Sequence, residues 1–259
     1  MKVLRHNNRI VNNVPSSQIL TYKKIITEQV IKTGYGALYN WWAIQQELVS
    51  GFSVPHTTDL IELITYLGGG PGNANGKLKS TRTAPDIAPR WDSPNTDATN
   101  EVNFGGVPTG NRSVNGSFFN LGTTLFLWAV NQATETHGQF RSLGLSNLSS
   151  GSAPKRSGYS VRCIRVEPLS LQEQSLSDGS FLSPVQDYDG NWYEVVKIGN
   201  QAWLSQNLRT THWTDGTPIP NVTGNTEWEE LETAAYCWRN NNIETPGIVY
   251  TDEFIELTL

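Results

Sequence analysis

The sequence has little that would support a chemical or a membrane function. Its 259 residues include two cysteines, one methionine and four histidines, and only 17% are charged. Two cysteines are too few for a disulfide-based scaffold. No apolar run approaches the roughly 20 residues that span a bilayer. The first residues contain neither an apolar signal-peptide core nor a lipid-attachment cysteine, so we expect no Sec export signal.

The charge pattern disfavours two classes of partner. The formal net charge is −5, without long acidic or basic blocks. A basic surface for nucleic acid and a polybasic patch for a membrane surface are therefore both absent from the pattern. We expect no nucleic-acid binding and no membrane insertion.

Turn-forming and aromatic residues are plentiful instead. The chain has 23 glycines, 13 prolines and 9 tryptophans, and 37% of its residues are hydrophobic. This composition favours an α+β fold that is mostly strand and irregular loop, around a core of adequate size. Long helices should be few.

One helix and one strand stand out in residues 34–166. Thr57 or Thr58 can cap a helix that ends at Gly68–Gly70, and the apolar face of this helix consists of Leu60, Ile61, Leu63, Ile64 and Leu67. Residues 157–166 alternate as a strand does, and the apolar positions of this strand are Tyr159, Val161, Cys163 and Ile164. Between the two, turns dominate, and we expect the loops to pack on Trp91, Phe104, Phe118, Phe119 and Trp128.

Residues 187–208 predict a hairpin. An Asp-Gly-Asn turn at Asp189–Asn191 precedes an alternating strand, and the Gly199-Asn200 turn leads into a second strand with Trp203. Residues 167–184 are rich in Ser and Gln and read as a linker. Residues 1–33 are interpreted as an attachment or oligomerisation arm, and residues 243–259 as a tail with a terminal strand.

The motifs resemble a known family, in two blocks. The block nearer the C-terminus is DGNWYEVVKIGNQAWLSQNLRTTHWTDGTPIPNV followed by AYCW, and it resembles the first half of the Fibrobacter succinogenes major paralogous domain. The block nearer the N-terminus includes YGALYNWW, VPHTTDLIELI, FGGVPTGNR and GYSVRCIRV, and it resembles the second half. The resemblance covers about three quarters of the chain.

The order of the two halves departs from that family. The second half occupies residues 34–166 and the first half residues 185–242, so the domain is interpreted as circularly permuted. The resemblance implies a C-type-lectin-like or formylglycine-generating-enzyme-like fold, in which the first and last strands lie side by side. The 185–242 half either pairs within its own chain or completes a neighbouring chain.

The resemblance also bears on enzyme function. Relatives of the fold include an oxidase that uses reactive cysteines, whereas Cys163 and Cys237 match positions that the family keeps for structure. A further family cysteine is missing here, where Val49 stands near that place. The histidines show no zinc-binding or triad spacing, and the acidic run 226–232 lacks calcium-loop spacing. We assign no catalytic residues, metal or cofactor.

The loops before the last strand are the candidate binding surface. In C-type-lectin-like folds used as receptor-binding modules, this region carries the contact residues. The candidates are Trp128, Asn131, Gln132, Glu135, His137, Gln139, Arg141 and Asn147. As alternatives, Trp128 matches a family aromatic of the core, Arg141 matches a family arginine, and Asn/Ser-rich loops are often plain turns.

These features predict a non-enzymatic bacteriophage virion protein. It would be a head fibre, tail fibre or decoration protein that attaches to the bacterial host surface or its glycans. We expect other virion proteins as partners and a homo-oligomer, with a trimer as one form. The alternatives are a bacterial cell-surface binding protein of the same family and an enzyme of the formylglycine-generating type.

Overall fold

The computed structural model describes residues 4–6, 9–11 and 34–242, which form a mostly β fold with few helices and long irregular loops. The predicted α+β class is confirmed. Residues 12–33 of the predicted arm and the predicted tail at 243–259 lie outside the described residues. The strands are β1 (Leu4–His6), β2 (Arg9–Val11), β3 (Ala37–Tyr39), β4 (Phe52–Ser53), β5 (Asn111–Arg112), β6 (Phe118–Phe119), β7 (Thr124–Gln132), β8 (His137–Gly144), β9 (Leu148–Pro154), β10 (Ile164–Arg165), β11 (Phe181–Gln186), β12 (Trp192–Ile198), β13 (Gln201–Leu204) and β14 (Tyr236–Trp238). The α-helices are α1 (Thr57–Tyr66), α2 (Asn75–Leu78), α3 (Leu171–Gln174) and α4 (Asn225–Glu229).

The predicted hairpin at 187–208 is confirmed as part of the largest sheet. β12 and β13 pair antiparallel, with Ile198 opposite Gln201 at the Gly199-Asn200 turn. In the preceding turn, Gly190 has a φ of +80°, which glycine adopts without the strain that a side chain would impose. The carboxylate of Asp187 accepts a hydrogen bond from the Asn191 N–H at 2.8 Å and closes that turn.

The two predicted halves share this sheet within one chain. Its strand order is β11-β12-β13-β10-β4, where β4 and β10 come from residues 34–166. At the junction Ile164 lies opposite Trp203. A second junction pairs β14 with β3, where Cys237 lies opposite Leu38. Residues 185–242 thus contribute strands to the same core as residues 34–166.

The segment predicted as a linker is ordered into a helix and a strand. α3 and β11 lie within or overlap residues 167–184, and Arg165 bonds Glu173 of α3 through two N–O contacts of 2.9 Å. β10 pairs with β13, the second strand of the predicted hairpin, and β12 and β13 separate β11 from β10. At about 4.8 Å per strand, the connection crosses roughly 14 Å of sheet.

A three-stranded antiparallel sheet, β7-β8-β9, packs against the core through aromatic rings. Tyr159 lies at the centre of this packing. Its ring centroid is 4.5 Å from that of Trp128, 4.9 Å from that of Phe126 and 5.2 Å from that of Phe140. These contacts hold one face of the sheet against the body of the protein and leave β9 as an edge strand.

The predicted helix is confirmed, with two corrections. α1 begins at Thr57 after the N-cap residue His56, whose N–H donates to the Asp59 carboxylate at 2.7 Å. Neither Thr57 nor Thr58 is the cap, because both already lie within the helix, and the Thr57 N–H donates to Asn131 of β7. Ile61 is 48% exposed, since it turns away from the face that buries Leu60 and Leu63.

Two other expectations also need correction. Phe119 is 49% exposed and is not a core aromatic, whereas Trp91, Phe104 and Trp128 are fully buried. The predicted strand at 157–166 is a regular strand only at Ile164–Arg165, although residues 158–160 make isolated bridges to three other segments. Its four apolar residues are all buried.

Candidate binding face

One side of the three-stranded sheet carries polar side chains beside the start of α1. We call this surface the polar face, and it consists of Asn131, Gln139, Arg141, Ser150 and Ser152. Ser152 lies opposite Gln139 and Ser150 lies opposite Arg141 in the antiparallel pairing of β8 with β9. Directly opposite residues project from the same face of a sheet. The two serines are exposed and the other three residues are half-buried.

Thr57, the first residue of α1, fixes two members of the polar face. The Asn131 Oδ1 accepts hydrogen bonds from the Thr57 N–H at 2.7 Å and from its Oγ1 at 2.9 Å. The same hydroxyl lies 2.7 Å from the Gln139 Oε1. The first-turn N–H groups of a helix lack intrahelical partners, so Asn131 serves as a cap from a distant strand. Both amides are thereby held in place at the rim of the sheet.

Arg141 differs from the other arginines whose side chains the structure describes. Each of the others donates a hydrogen bond or pairs with a carboxylate, whereas Arg141 does neither. Its Nε is buried without a hydrogen-bond partner. Burial lowers the pKa of the guanidinium from its ordinary value, yet an arginine stays protonated at physiological pH. The polar face therefore holds a cation with unused donors.

Trp128 does not belong to this surface. Its side chain is fully buried, and its indole Nε1 donates to the Tyr39 carbonyl at 2.8 Å. Trp128 is therefore a core aromatic, which was the alternative interpretation, and it is not part of the binding face.

Gln132 and His137 lie near the hairpin turn between β7 and β8, away from the polar face. The Lys155 Nζ donates to the Gln132 Oε1 at 2.8 Å and lies 4.3 Å from the centroid of the Trp41 ring. The His137 Nδ1 is 2.9 Å from the Thr136 Oγ1. Both predicted residues take part in local contacts that shape the turn.

Glu135 and Asn147 are exposed at opposite ends of β8. Glu135 lies in the turn before β8, and Asn147 lies in the turn after it, within reach of the Ser149 Oγ at 3.5 Å. An eight-residue strand separates them, which is about 27 Å at 3.4 Å per residue. A small ligand would not contact both, whereas an extended polymer lying along the sheet would.

Sequence reasoning missed three residues of this region, namely Thr57, Ser150 and Ser152. The serines fall in LSSGSAP, which lacks the apolar alternation that marks a strand. Their place opposite Gln139 and Arg141 depends on the short turn between β8 and β9, which the sequence does not mark. The sequence predicts Thr57 only as a helix cap.

Both thiols are buried and free of disulfides. Cys163 and Cys237 are each 0% exposed. Burial raises the pKa of the Cys163 thiol far above its usual range, and it raises that of Cys237 to about 11. Val49 is buried in the same apolar cluster as Cys163, so hydrophobic packing fills the region where the family resemblance implies a second cysteine. Thiolate chemistry needs a lowered pKa and access, and neither is found here.

Within the described ranges, no cluster of three or more His, Cys, Asp or Glu side chains could hold a metal ion. The same residues contain no helix of the length and apolar character needed to cross a bilayer. Glu229 and Glu230, at the end of α4, are both exposed.

The fold and this surface define a mostly β domain with an aromatic core and a polar sheet face. A comparison with protein families matches residues 7–165 to the Fibrobacter succinogenes major domain, which confirms the family suggested by the motifs. The chain belongs to this family. The matched range includes most of the predicted arm and ends before residues 185–242. No curated protein and no solved structure matches the chain significantly.

Proposed function

We propose that the chain is a non-enzymatic attachment protein on a bacteriophage virion, in which the polar face contacts host-surface glycans. The observation that carries the proposal is the polar face itself, where two amides fixed by Thr57 share a sheet face with a cation that has unused donors. Fixed polar groups cost little ordering entropy on binding, which suits recognition of a hydroxyl-rich polymer. The turns with Glu135 and Asn147 extend the contact along the sheet.

A circularly permuted, C-type-lectin-like arrangement is part of this proposal. Its support is the pairing of β13 with β10 and of β14 with β3, which joins the segments that resemble the two halves of the family domain. In this arrangement the polar face belongs to the region that displays contact residues in receptor-binding modules of that fold.

Assembly in the reducing cytoplasm of a host cell is supported by the two thiols. A domain whose cysteines are both buried and unpaired keeps its structure without oxidation. A virion protein is assembled under those conditions, so the proposed placement requires no disulfide. The alternative placement is on a bacterial cell surface.

Self-association is supported by the two unequal sheet edges. β11, at the edge of the large sheet, contains Pro184 and a register shift, and both discourage pairing with another strand. β9 has neither a charge nor an interior proline between Ser149 and Ser152. Its open edge can pair with a strand of another copy, and a homo-oligomer such as a trimer would bring several polar faces to one target.

Two measurements test the proposed function. Fluorescently labelled protein should bind a subset of intact bacteria in a flow-cytometry panel, and purified surface polysaccharide from those cells should compete. Gold-labelled antibody against the chain should decorate phage particles released by the strain that encodes it. Binding to no member of the panel contradicts the attachment function, and label on cell envelopes alone contradicts the virion placement.

A further inference from the structure

Arg141 is the feature of the binding face that its surroundings leave unexplained. On β8, Arg141 lies opposite Leu127 of β7 and Ser150 of β9. Leu127 and the next residue on the same side, Leu143, are buried in the cluster beneath α1. The arginine stem thus starts from an apolar base, while the neighbour on the outer side is a short neutral hydroxyl.

Two other arginines, the buried Arg162 and the half-buried Arg165, have acceptors that Arg141 lacks. Arg162 is fully buried, and its guanidinium donates to the Phe104 carbonyl and, at 2.8 Å, to the Asn207 Oδ1. Arg165 forms a two-point contact with Glu173 at 2.9 Å for each N–O pair. The Nε of Arg141 and that of Arg162 are both shielded from water without an acceptor, but Arg141 also lacks the partners that the terminal nitrogens of Arg162 have. The terminal nitrogens of Arg141 thus keep donors for an incoming acceptor, and a charge-assisted bond to them is stronger than a neutral hydrogen bond.

Oxyanions are the ligands that fit this arrangement. A guanidinium presents its donors in a planar fork that matches two oxygens of a carboxylate or phosphate. Gln139 lies two residues along the same side of β8, and Ser150 lies directly opposite, so amide and hydroxyl groups flank the charge. Those neutral groups suit the hydroxyls of a sugar that carries the acid.

We propose that Arg141 binds the oxyanion of an acidic saccharide, with Gln139 and Ser150 contacting its hydroxyl groups. This inference rests on the proposed attachment function and names the class of glycan that the polar face recognises. The net charge of −5 means that the protein as a whole repels a polyanion, so binding must come from a local site.

Because Ser150 lies directly opposite Arg141, a carboxylate introduced at position 150 would occupy the guanidinium and compete with a bound ligand. In Ser150→Glu a carboxylate stands directly opposite Arg141 and pairs with it, in competition with an external oxyanion. Ser150→Gln has nearly the same size without the charge and is the matched control. Arg141→Gln removes the cation itself. Thermal unfolding of each variant checks that the fold is retained, and a variant that unfolds early is replaced by Arg141→Lys, which keeps the charge but loses the fork.

The experiment measures binding of the full chain to three polymers by biolayer interferometry. The probes are polygalacturonate as the carboxylate, polyglycerol phosphate as the phosphate and dextran as the neutral control. We expect binding to at least one acidic polymer and none to dextran. Ser150→Glu and Arg141→Gln should each weaken it tenfold or more, about the effect of one lost charge-assisted hydrogen bond, while Ser150→Gln stays within about twofold.

Each outcome decides the proposal. The polymer that binds identifies carboxylate or phosphate as the source of the oxyanion. Equal binding of dextran, or an acidic polymer that binds both charge variants as tightly as the wild type, overturns the inference. If the protein binds intact bacteria but neither acidic polymer, the oxyanion inference fails and the attachment function stands. If it binds no bacteria in the panel, the attachment function fails independently.

Discussion

Replacing Arg112 with methionine should destabilise the protein strongly, because this side chain joins the two segments of the domain. It is 0% exposed, and its guanidinium donates to the carbonyls of Gly116, Val222 and Thr223 at 2.9, 2.6 and 2.8 Å. Its Cζ lies 4.3 Å from the centroid of the Trp228 ring. Gly116 belongs to the same segment as Arg112, whereas the other partners belong to residues 185–242.

The magnitude follows from the number of bonds and from the cost of the buried charge. Hydrogen bonds to a charged group contribute about 1.5–3 kcal/mol each, so the three shortest of the five Arg112 bonds are worth roughly 4.5–9 kcal/mol before offsets. Removing a buried cation that has no carboxylate partner returns several kcal/mol of desolvation cost. We therefore expect Arg112→Met to lower the free energy of unfolding by about 3 kcal/mol.

Urea unfolding followed by tryptophan fluorescence measures this change. With an m-value of about 3 kcal/mol per molar urea, the midpoint should fall by about 1 M. Arg156→Met is the matched control, because the Arg156 side chain is 38% exposed and loses only one hydrogen bond to a carbonyl, that of Leu231 at 2.8 Å, and an ion pair with Glu232 worth at most about 1 kcal/mol. If Arg112→Met costs no more than Arg156→Met, the reasoning about the junction is refuted.

Three further predictions concern a glycine, the thiols and a lysine. Gly36→Ala should destabilise the protein by about 3 kcal/mol, because Gly36 has a φ of +79° and the new Cβ would lie 2.8 Å from the Leu208 carbonyl oxygen. Gly51 has a similar φ of +77° but lies in open space, so Gly51→Ala should cost about 1 kcal/mol. Equal urea midpoints for the two variants would contradict this. Neither cysteine should react with a thiol reagent in the native protein at pH 8, since at a pKa of about 11 roughly one Cys237 side chain in a thousand is ionised. Stoichiometric labelling of the native protein would show that the burial of the thiols is not maintained. Burial lowers the pKa of Lys79 from 10.5 to about 8, so between these pH values the unfolded chain binds more protons than the folded protein. The Lys79 contribution to stability therefore rises with pH, and Lys79→Met should flatten the change of the urea midpoint between pH 8 and pH 10. An unchanged slope would contradict the lowered pKa.

The parts of the fold that sequence predicts best depend on local rules. The hairpin at 187–208 follows from turn glycines and strand alternation, and α1 follows from helical periodicity ending at three glycines. The register between strands and the partner of the first turn of α1 depend on residues that are distant in sequence. Asn131 caps α1 across 74 positions of sequence, and no local pattern announces such a contact. The end of the helix is therefore predictable, whereas its first-turn partner is not.

The binding face shows the same limit. Gln139 and Arg141 follow from a family resemblance that places them in loops, whereas the structure places them on one side of the strand β8. The opposing Ser150 and Ser152 depend on the strand register, which sequence alone does not fix. Sequence alone does not show whether Trp128 belongs to the core or to the binding face, because aromatic residues are common in both. Its packing against the ring of Tyr159 places it in the core.

The most direct test of the proposed attachment function places a bulky side chain on the polar face. Ser152→Trp projects an indole over Gln139, while Gln172→Trp puts the same group on the exposed helix α3, away from the sheet. Binding of the two labelled variants to bacteria that bind the wild type is compared by flow cytometry, after thermal unfolding shows that both are folded. We expect Ser152→Trp to lose at least tenfold in cell binding and Gln172→Trp to retain it. Equal binding by both variants would contradict the claim that the polar face makes the attachment.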